Sequence, residues 1–120
     1  QKYANGTLLR AQGDTKVWII KNGFRRYVVG PQILGFYGHL KNVPVIDVPK
    51  TELDQYSLAA WVRYVNSPKV YEVNDDATKH WLDMSAEDFY ATGRRWEAVF
   101  VTNKSEIDFY AAGVNVTIIK

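Results

Sequence analysis

The sequence contains no cysteine. That single absence removes disulfide frameworks, thiolate zinc sites and cysteine nucleophiles together. Histidine is scarce too: His39 and His80 are the only two. A zinc site needs three or four ligands at suitable spacing, so no metal and no other cofactor is expected. No apolar run approaches the ~18–20 residues that cross a bilayer, so no membrane span is expected in this chain. The sequence also lacks Gly-x-Ser-x-Gly, Gly-x-x-x-x-Gly-Lys-Ser/Thr, His-Glu-x-x-His and Gly-x-Gly-x-x-Gly. Without them there is no nucleophile elbow, phosphate-binding loop, zinc-protease helix or dinucleotide fingerprint, and no enzymatic activity is expected. The form a small hydrolase would take is a carboxylate pair drawn from Glu87, Asp88 and Glu97. Asn74-Asp75-Asp76, with Glu72 and Asp83 nearby, is the densest acidic stretch. Its oxygens could serve calcium, but Asn and Asp are equally the ordinary residues of a solvated turn.

What is present describes a folded chain. At 120 residues and 13.8 kDa it is one ordinary domain or two very small ones, and its 47% apolar and 23% charged content rules out disorder. Net charge is +2, unevenly divided: residues 1–57 carry +4 and residues 58–120 carry −2. The negative second half works against a continuous basic track, so nucleic acid is not an expected partner. Aromatic residues are abundant, with four Trp, eight Tyr and five Phe. Three glycosylation sequons begin at Asn5, Asn103 and Asn115. The sequence starts at Gln1 rather than Met, and an upstream segment is expected.

Self-similarity organises the chain. Leu9-Arg10 aligns with Val62-Arg63, and Lys16-Val17-Trp18 with Lys69-Val70-Tyr71, at an offset of 53. One residue is then added in a turn, so that Arg25-Arg26-Tyr27 meets Lys79-His80-Trp81. Further on Gly38 meets Gly93, and Glu52-Leu53-Asp54-Gln55-Tyr56 meets Glu106-Ile107-Asp108-Phe109-Tyr110. Each unit reads as three strands and then short helices. The strands are expected at 7–11, 16–21 and 24–29 in the first unit, and at 61–65, 69–73 and 79–82 in the second. Asn22-Gly23 is the strongest short hairpin signal, and Asn74-Asp75-Asp76-Ala77 is a longer turn of the same chemistry. Helices are expected at 31–37 and 50–56, and at 85–92 and 103–110, with Ser85, Thr51 and Asn103 as N-caps and Gly38 and Gly93 as left-handed ends. Strands return at 43–48 and 98–101, and 114–119 is a final strand. Ser57–Ala60 is the only linker candidate. The expected class is α+β: two pseudo-repeats, 1–57 and 58–120, each a short antiparallel meander followed by short helices, packed as one compact body.

Bases and aromatics interleave at two places. Strand alternation puts Arg25 and Tyr27 on one face and Arg26 on the other, and in the second unit Lys79 and Trp81 share a face. A planar ring beside a long cation suits a sugar, a nucleobase or a peptide, but equally a core ring with a snorkelling neighbour. The loop Gly93-Arg94-Arg95-Trp96 is the second cluster, and its counterpart in the first unit is Gly38-His39-Leu40-Lys41. Loops carry function more often than strands, so Arg94, Arg95 and Trp96 are the leading contact residues. Trp61, which has no aromatic counterpart, joins them.

The pattern Gly6-Thr7-Leu8-Leu9-Arg10, Lys16-Val17-Trp18-x-Ile20, Asn22-Gly23-x-Arg25-Arg26-Tyr27 is similar to a repeat of bacterial exported and cell-surface proteins. Both units match it across nearly the whole chain, the second departing at Asp76-Ala77 where the hairpin glycine is replaced. The resemblance implies an extracellular or surface-anchored module and defines no functional residues. The expected function is non-catalytic binding of a cell-wall or surface glycan, or of a protein partner, through exposed aromatics and arginines. The alternative is a structural subunit of a pilus-like or layer-like filament, in which self-association is oriented by the charge difference between the halves.

Overall fold

The structure is a computed structural model that describes residues 3–40 and 42–118. It divides into two units, Gln1–Ala59 and Ala60–Lys120. In the first unit β1 (Leu8–Ala11), β2 (Trp18–Lys21) and β3 (Phe24–Tyr27) form the meander, followed by α1 (Gln32–Gly35), β4 (Val45–Val48), α2 (Lys50–Leu53) and β5 (Ser57–Leu58). In the second, β6 (Trp61–Tyr64), β7 (Val70–Val73) and β8 (Thr78–Asp83) are followed by α3 (Ala86–Ala91), a 3-10 turn at Trp96–Ala98, β9 (Phe100–Thr102), α4 (Lys104–Phe109), β10 (Ala111–Ala112) and β11 (Val116–Thr117). The class is α+β: two mixed sheets and four short helices among the described residues.

The two sheets share one plan. Their strand orders are β4-β1-β2-β3-β5 and β10-β8-β7-β6-β9, with β11 added beside β8. The three meander strands pair antiparallel, whereas β4 and β9 return parallel to β1 and β6. A helical crossover brings a strand back in the same direction, which a two-residue hairpin cannot do. Registers correspond as well: Leu9 faces Trp18 and Trp18 faces Tyr27, while Val62 faces Tyr71 and Tyr71 faces Trp81.

The extra residue of the second unit is absorbed in its hairpin. Asn22 and Gly23 both have positive φ (51° and 84°), the two-residue turn whose twist matches the flanking strands. The second unit instead loops through Asp75-Asp76-Ala77, with Asn74 N donating to Thr78 O at 2.9 Å. Ala77 takes φ 65°, the left-handed position that such a three-residue loop reserves for glycine. Asp76 Oδ1 ties the loop by accepting from Thr78 N and Oγ1 at 3.1 and 2.6 Å.

Helix ends follow local chemistry in three cases and depart from expectation in two. Ser85 Oγ accepts from Asp88 N at 3.1 Å at the start of α3, and Asn103 Oδ1 accepts from Glu106 N at 2.9 Å at the start of α4. Gly93, at φ 88°, ends the turn after α3. Thr51 is no cap: it lies inside α2, which begins after the extended Pro49. Gly38 has no positive φ, so its match to Gly93 does not extend to conformation. The boundary between the units falls within Ser57–Ala60, and Ser57–Leu58 also pairs with β3 as the fifth strand of the first sheet, as β10 pairs with β8 in the second. The final strand is confined to Val116–Thr117, and its expected end at Ile119, like Lys41, lies outside the described residues.

In the first unit Leu9, Ala11, Ile20, Val48, Leu53 and Tyr56 pack together, with Trp18 against them. In the second, Val70, Leu82, Phe89 and Val99 form a cluster flanked by Trp61, Met84 and Val116.

Two outcomes are expected. Ala77→Gly removes the Cβ from a left-handed residue and stabilises the second unit by about 1 kcal/mol in urea unfolding; no gain would mean that the loop is unstrained. Arg10 Nε sits 2.8 Å from Asp47 Oδ1 and holds that carboxyl below the usual range, as Lys50 does for Asp54. A carboxyl whose folded-state pKa is depressed contributes above its unfolded value and loses that contribution as the pH falls through the folded one. Asp47→Asn therefore flattens the decline of stability below about pH 4, measured as urea midpoint against pH.

Candidate ligand-binding site

Four of the expected contact residues belong to a duplicated structural ladder. In the first unit Lys16 Nζ lies 4.9 Å from the Tyr27 ring centre, Tyr27 lies 5.7 Å from Trp18, and the Arg25 guanidinium lies 4.5 Å from Trp18. The second unit repeats the arrangement, with Lys69 Nζ 4.4 Å from Trp81 and Lys79 Nζ 5.6 Å from Tyr71. Each ladder ends at the second helix of its unit, α2 or α4. Arg25 reaches Asp54 at 3.7 Å, and Lys79 Nζ donates to Ile107 O at 2.6 Å. Arg25, Tyr27, Lys79 and Trp81 are all half-buried, and these cation–ring contacts hold strands and helix together. Trp81 alone of the four also lines the cleft described next.

The second unit contains an aromatic cleft of about 520 Å³, walled by Trp81, Phe89, Tyr90 and Trp96 and floored by Val70 and Leu82. Trp96 is 47% and Tyr90 45% exposed, whereas Phe89 is buried. Phe89 organises the group: its ring meets Trp61, Tyr90 and Trp96 edge-on, with centres 6.3, 5.7 and 6.4 Å apart. A second hollow of about 490 Å³ lies along Arg63, Val65 and Asn66, sharing Trp96 and Pro68 with the first. The Arg63 guanidinium is 5.7 Å from the Trp96 ring centre.

Trp96 is held in place by its neighbours. Gly93 turns the chain out of α3, and Arg94 then anchors the loop to the sheet, its Nε and terminal nitrogen each 3.2 Å from Glu72 Oε2. The same carboxylate oxygen accepts from Trp61 Nε1 at 2.8 Å. Arg94 also donates to Thr92 Oγ1 at 2.8 Å. After Trp96 the 3-10 turn buries Ala98 and Val99. Trp61 and Arg94 thus support the site from within, while Trp96 and the exposed Arg95 face solvent.

The strand registers locate the counterparts of this support. Trp61 and Glu72 correspond to Leu8 and Ile19, and counting back from β4 and β9 sets Arg94 opposite Leu40 and Trp96 opposite Asn42. Leu8, Ile19 and Leu40 are buried apolar residues. The first unit fills these positions with hydrocarbon, and the second fills them with a hydrogen-bonded Trp–Glu–Arg group.

Polar groups in the cleft complete its chemistry. Asp83, Ser85 and Lys69 line it beside the rings. Ser85 Oγ accepts from Asp88 N, which leaves its hydroxyl hydrogen to donate. Sequence reasoning missed Phe89, Tyr90 and Pro68 and placed Asp83 only in the acidic stretch; the adjacent aromatics of a one-and-a-half-turn helix were the available signal for the first two. Both ring nitrogens of His80 have hydrogen-bond partners: Nδ1 is 2.7 Å from Val114 O and Nε2 is 2.9 Å from Asn74 Nδ2. Among the described residues no three His, Asp or Glu converge on a metal-sized site, and Glu72, from the acidic stretch, is committed to Trp61 and Arg94. Of the sequon residues, Asn5 pairs with Asn22, its Nδ2 3.1 Å from Asn22 Oδ1; Asn103 caps α4; Asn115 is exposed ahead of β11. No helix is long and apolar enough to cross a membrane among the described residues.

No protein-family model, curated protein or solved structure matches this chain.

Removing Glu72 strands two half-buried donors. Glu72→Ala is expected to cost about 2 kcal/mol in urea unfolding, with Glu72→Gln recovering part of it; a loss near zero would show that the Trp–Glu–Arg group bears no weight.

Proposed function

We propose that the chain is a non-catalytic binding module that holds a surface glycan in the cleft of its second unit. The observation that carries this reading is Trp96, an exposed indole at the lip of an aromatic cleft and fixed there by Phe89 and Arg94. Sugars bind through two kinds of contact at once. Their C–H faces lie on aromatic rings, and their hydroxyls exchange hydrogen bonds with a few polar groups. Trp96 and Tyr90 offer the rings, and Asp83, Ser85 and Lys69 offer an acceptor and two donors. The cleft volume falls within the range of small-ligand sites.

Two further features support a binder. The unit correspondences place the cleft where the second unit departs from the first, which is where a site added to a shared scaffold belongs. The similarity of both units to repeats of bacterial exported proteins fits work at the cell surface or outside it.

The test is an array of surface polysaccharides and peptidoglycan fragments probed with the whole chain. Trp96→Ala is expected to lower retention about tenfold without altering the circular dichroism spectrum. Lys16→Ala, in the ladder of the first unit, is expected to leave it unchanged. Retention that ignores Trp96→Ala removes the cleft from the site, and retention of a protein partner with no glycan bound overturns the reading.

A further inference from the structure

We infer that the ligand is an acidic glycan chain that straddles Trp96, its negative groups met by Lys69 on one side and Arg63 on the other. This rests on the glycan reading above and adds the charge and the extent of the ligand.

The extent follows from the two hollows. They are similar in volume, about 520 and 490 Å³, and both are walled by Trp96 and Pro68. A single terminal sugar would occupy one and leave the other wet. A chain laid across the indole places one ring on each side.

The charge follows from what borders each hollow. Lys69 lines the first and Arg63 the second. Among the described residues Asp83 is the only carboxylate lining either. Arg95, exposed and next to Trp96 in the chain, adds a third cation. Among the described residues Lys69 forms no ion pair with a carboxylate; its ammonium lies over the Trp81 ring, a contact that uses none of its three donors on an acceptor oxygen. Arg63 lies over Trp96 and makes one long hydrogen bond, 3.4 Å, to Ser67 O, so most of its five donors remain for a ligand. A cation on an aromatic ring at the edge of a groove holds a carboxylate or phosphate next to a stacked sugar. The second half of the chain carries a net −2, so these cations are a local reversal of its field and not part of a general basic surface.

Affinity electrophoresis with the whole chain separates the possibilities. The probes are polygalacturonate, its methyl ester and a phosphomannan, whose sugar rings are joined by phosphodiesters. Retardation by either acidic polymer and not by the ester, weakening as salt rises from about 0.05 to 0.3 M, is the expected result; which acidic polymer acts separates a carboxylate source from a phosphodiester one. Lys69→Gln is expected to weaken retardation about threefold, Lys69→Arg to preserve it, and Lys69→Gln with Arg63→Gln to weaken it about tenfold. Trp96→Ala is expected to weaken it about tenfold, which attraction by charge alone would not. Oligomers of four sugars compete at least tenfold better than the monosaccharide. Equal retardation by the ester, or a monosaccharide competing equally, overturns the acidic chain while the glycan reading stands. Failure of every acidic probe overturns the inference as well, and an array with no glycan bound overturns both readings.

Discussion

Each unit depends on the register of its second hairpin. Strand side chains alternate faces, so a slip of one residue between β7 and β8 would send Trp81 and Lys79 to the opposite face and break the ladder. The first unit fixes its register with Asn22-Gly23, whose two positive φ angles close a two-residue turn. The second spans one residue more and has no glycine, yet Tyr71 still faces Trp81 as Trp18 faces Tyr27. The loop achieves this by forcing Ala77 left-handed and by tying Asp76 to Thr78 twice. A left-handed residue at position 77, here a strained alanine, sets the register of the cross-strand contacts beyond it.

Those contacts explain why so many aromatics interleave with cations. Lys16–Tyr27–Trp18–Arg25 and Lys69–Trp81–Tyr71–Lys79 are the same ladder built twice, each ending at the second helix of its unit. The two versions exchange tyrosine for tryptophan and arginine for lysine at matched positions. What they keep is a flat ring beside a long cation. That combination covers the half-buried side of a small sheet while leaving the charge in water.

The meander strands, the turn chemistry and the caps of α3 and α4 were legible from local pattern, because each is set by residues close together in sequence. The parallel closing strands were not. Ser57–Leu58 and Ala111–Ala112 are two residues long, too short for any periodicity, and pair through backbone groups that side chains do not announce. Gly38 matched Gly93 in sequence and not in conformation, since identity at an aligned position does not carry the φ angle with it. At the site, the residues named from the Gly93–Trp96 loop were brought into one region, but their roles divided. Arg94 and Trp61 turn inward to share Glu72, a carboxylate 22 residues before Arg94 whose partnership no local spacing reveals.

That shared carboxylate is the sharpest difference between the units. Hydrocarbon at Leu8, Ile19 and Leu40 would serve a fold alone, and polar groups in such positions rarely add stability over well-packed apolar ones. What the polar group adds is direction. An arginine hydrogen-bonded to a sheet carboxylate and to Thr92 fixes the loop in one orientation, where apolar packing would accept several. Two residues later the same loop carries Trp96 with nearly half its surface in water. An exposed tryptophan on a free loop would fold back onto the nearest apolar surface. One braced by a charge-assisted hydrogen bond and the edge of Phe89 stays presented, and a presented ring loses little conformational entropy when a ligand arrives.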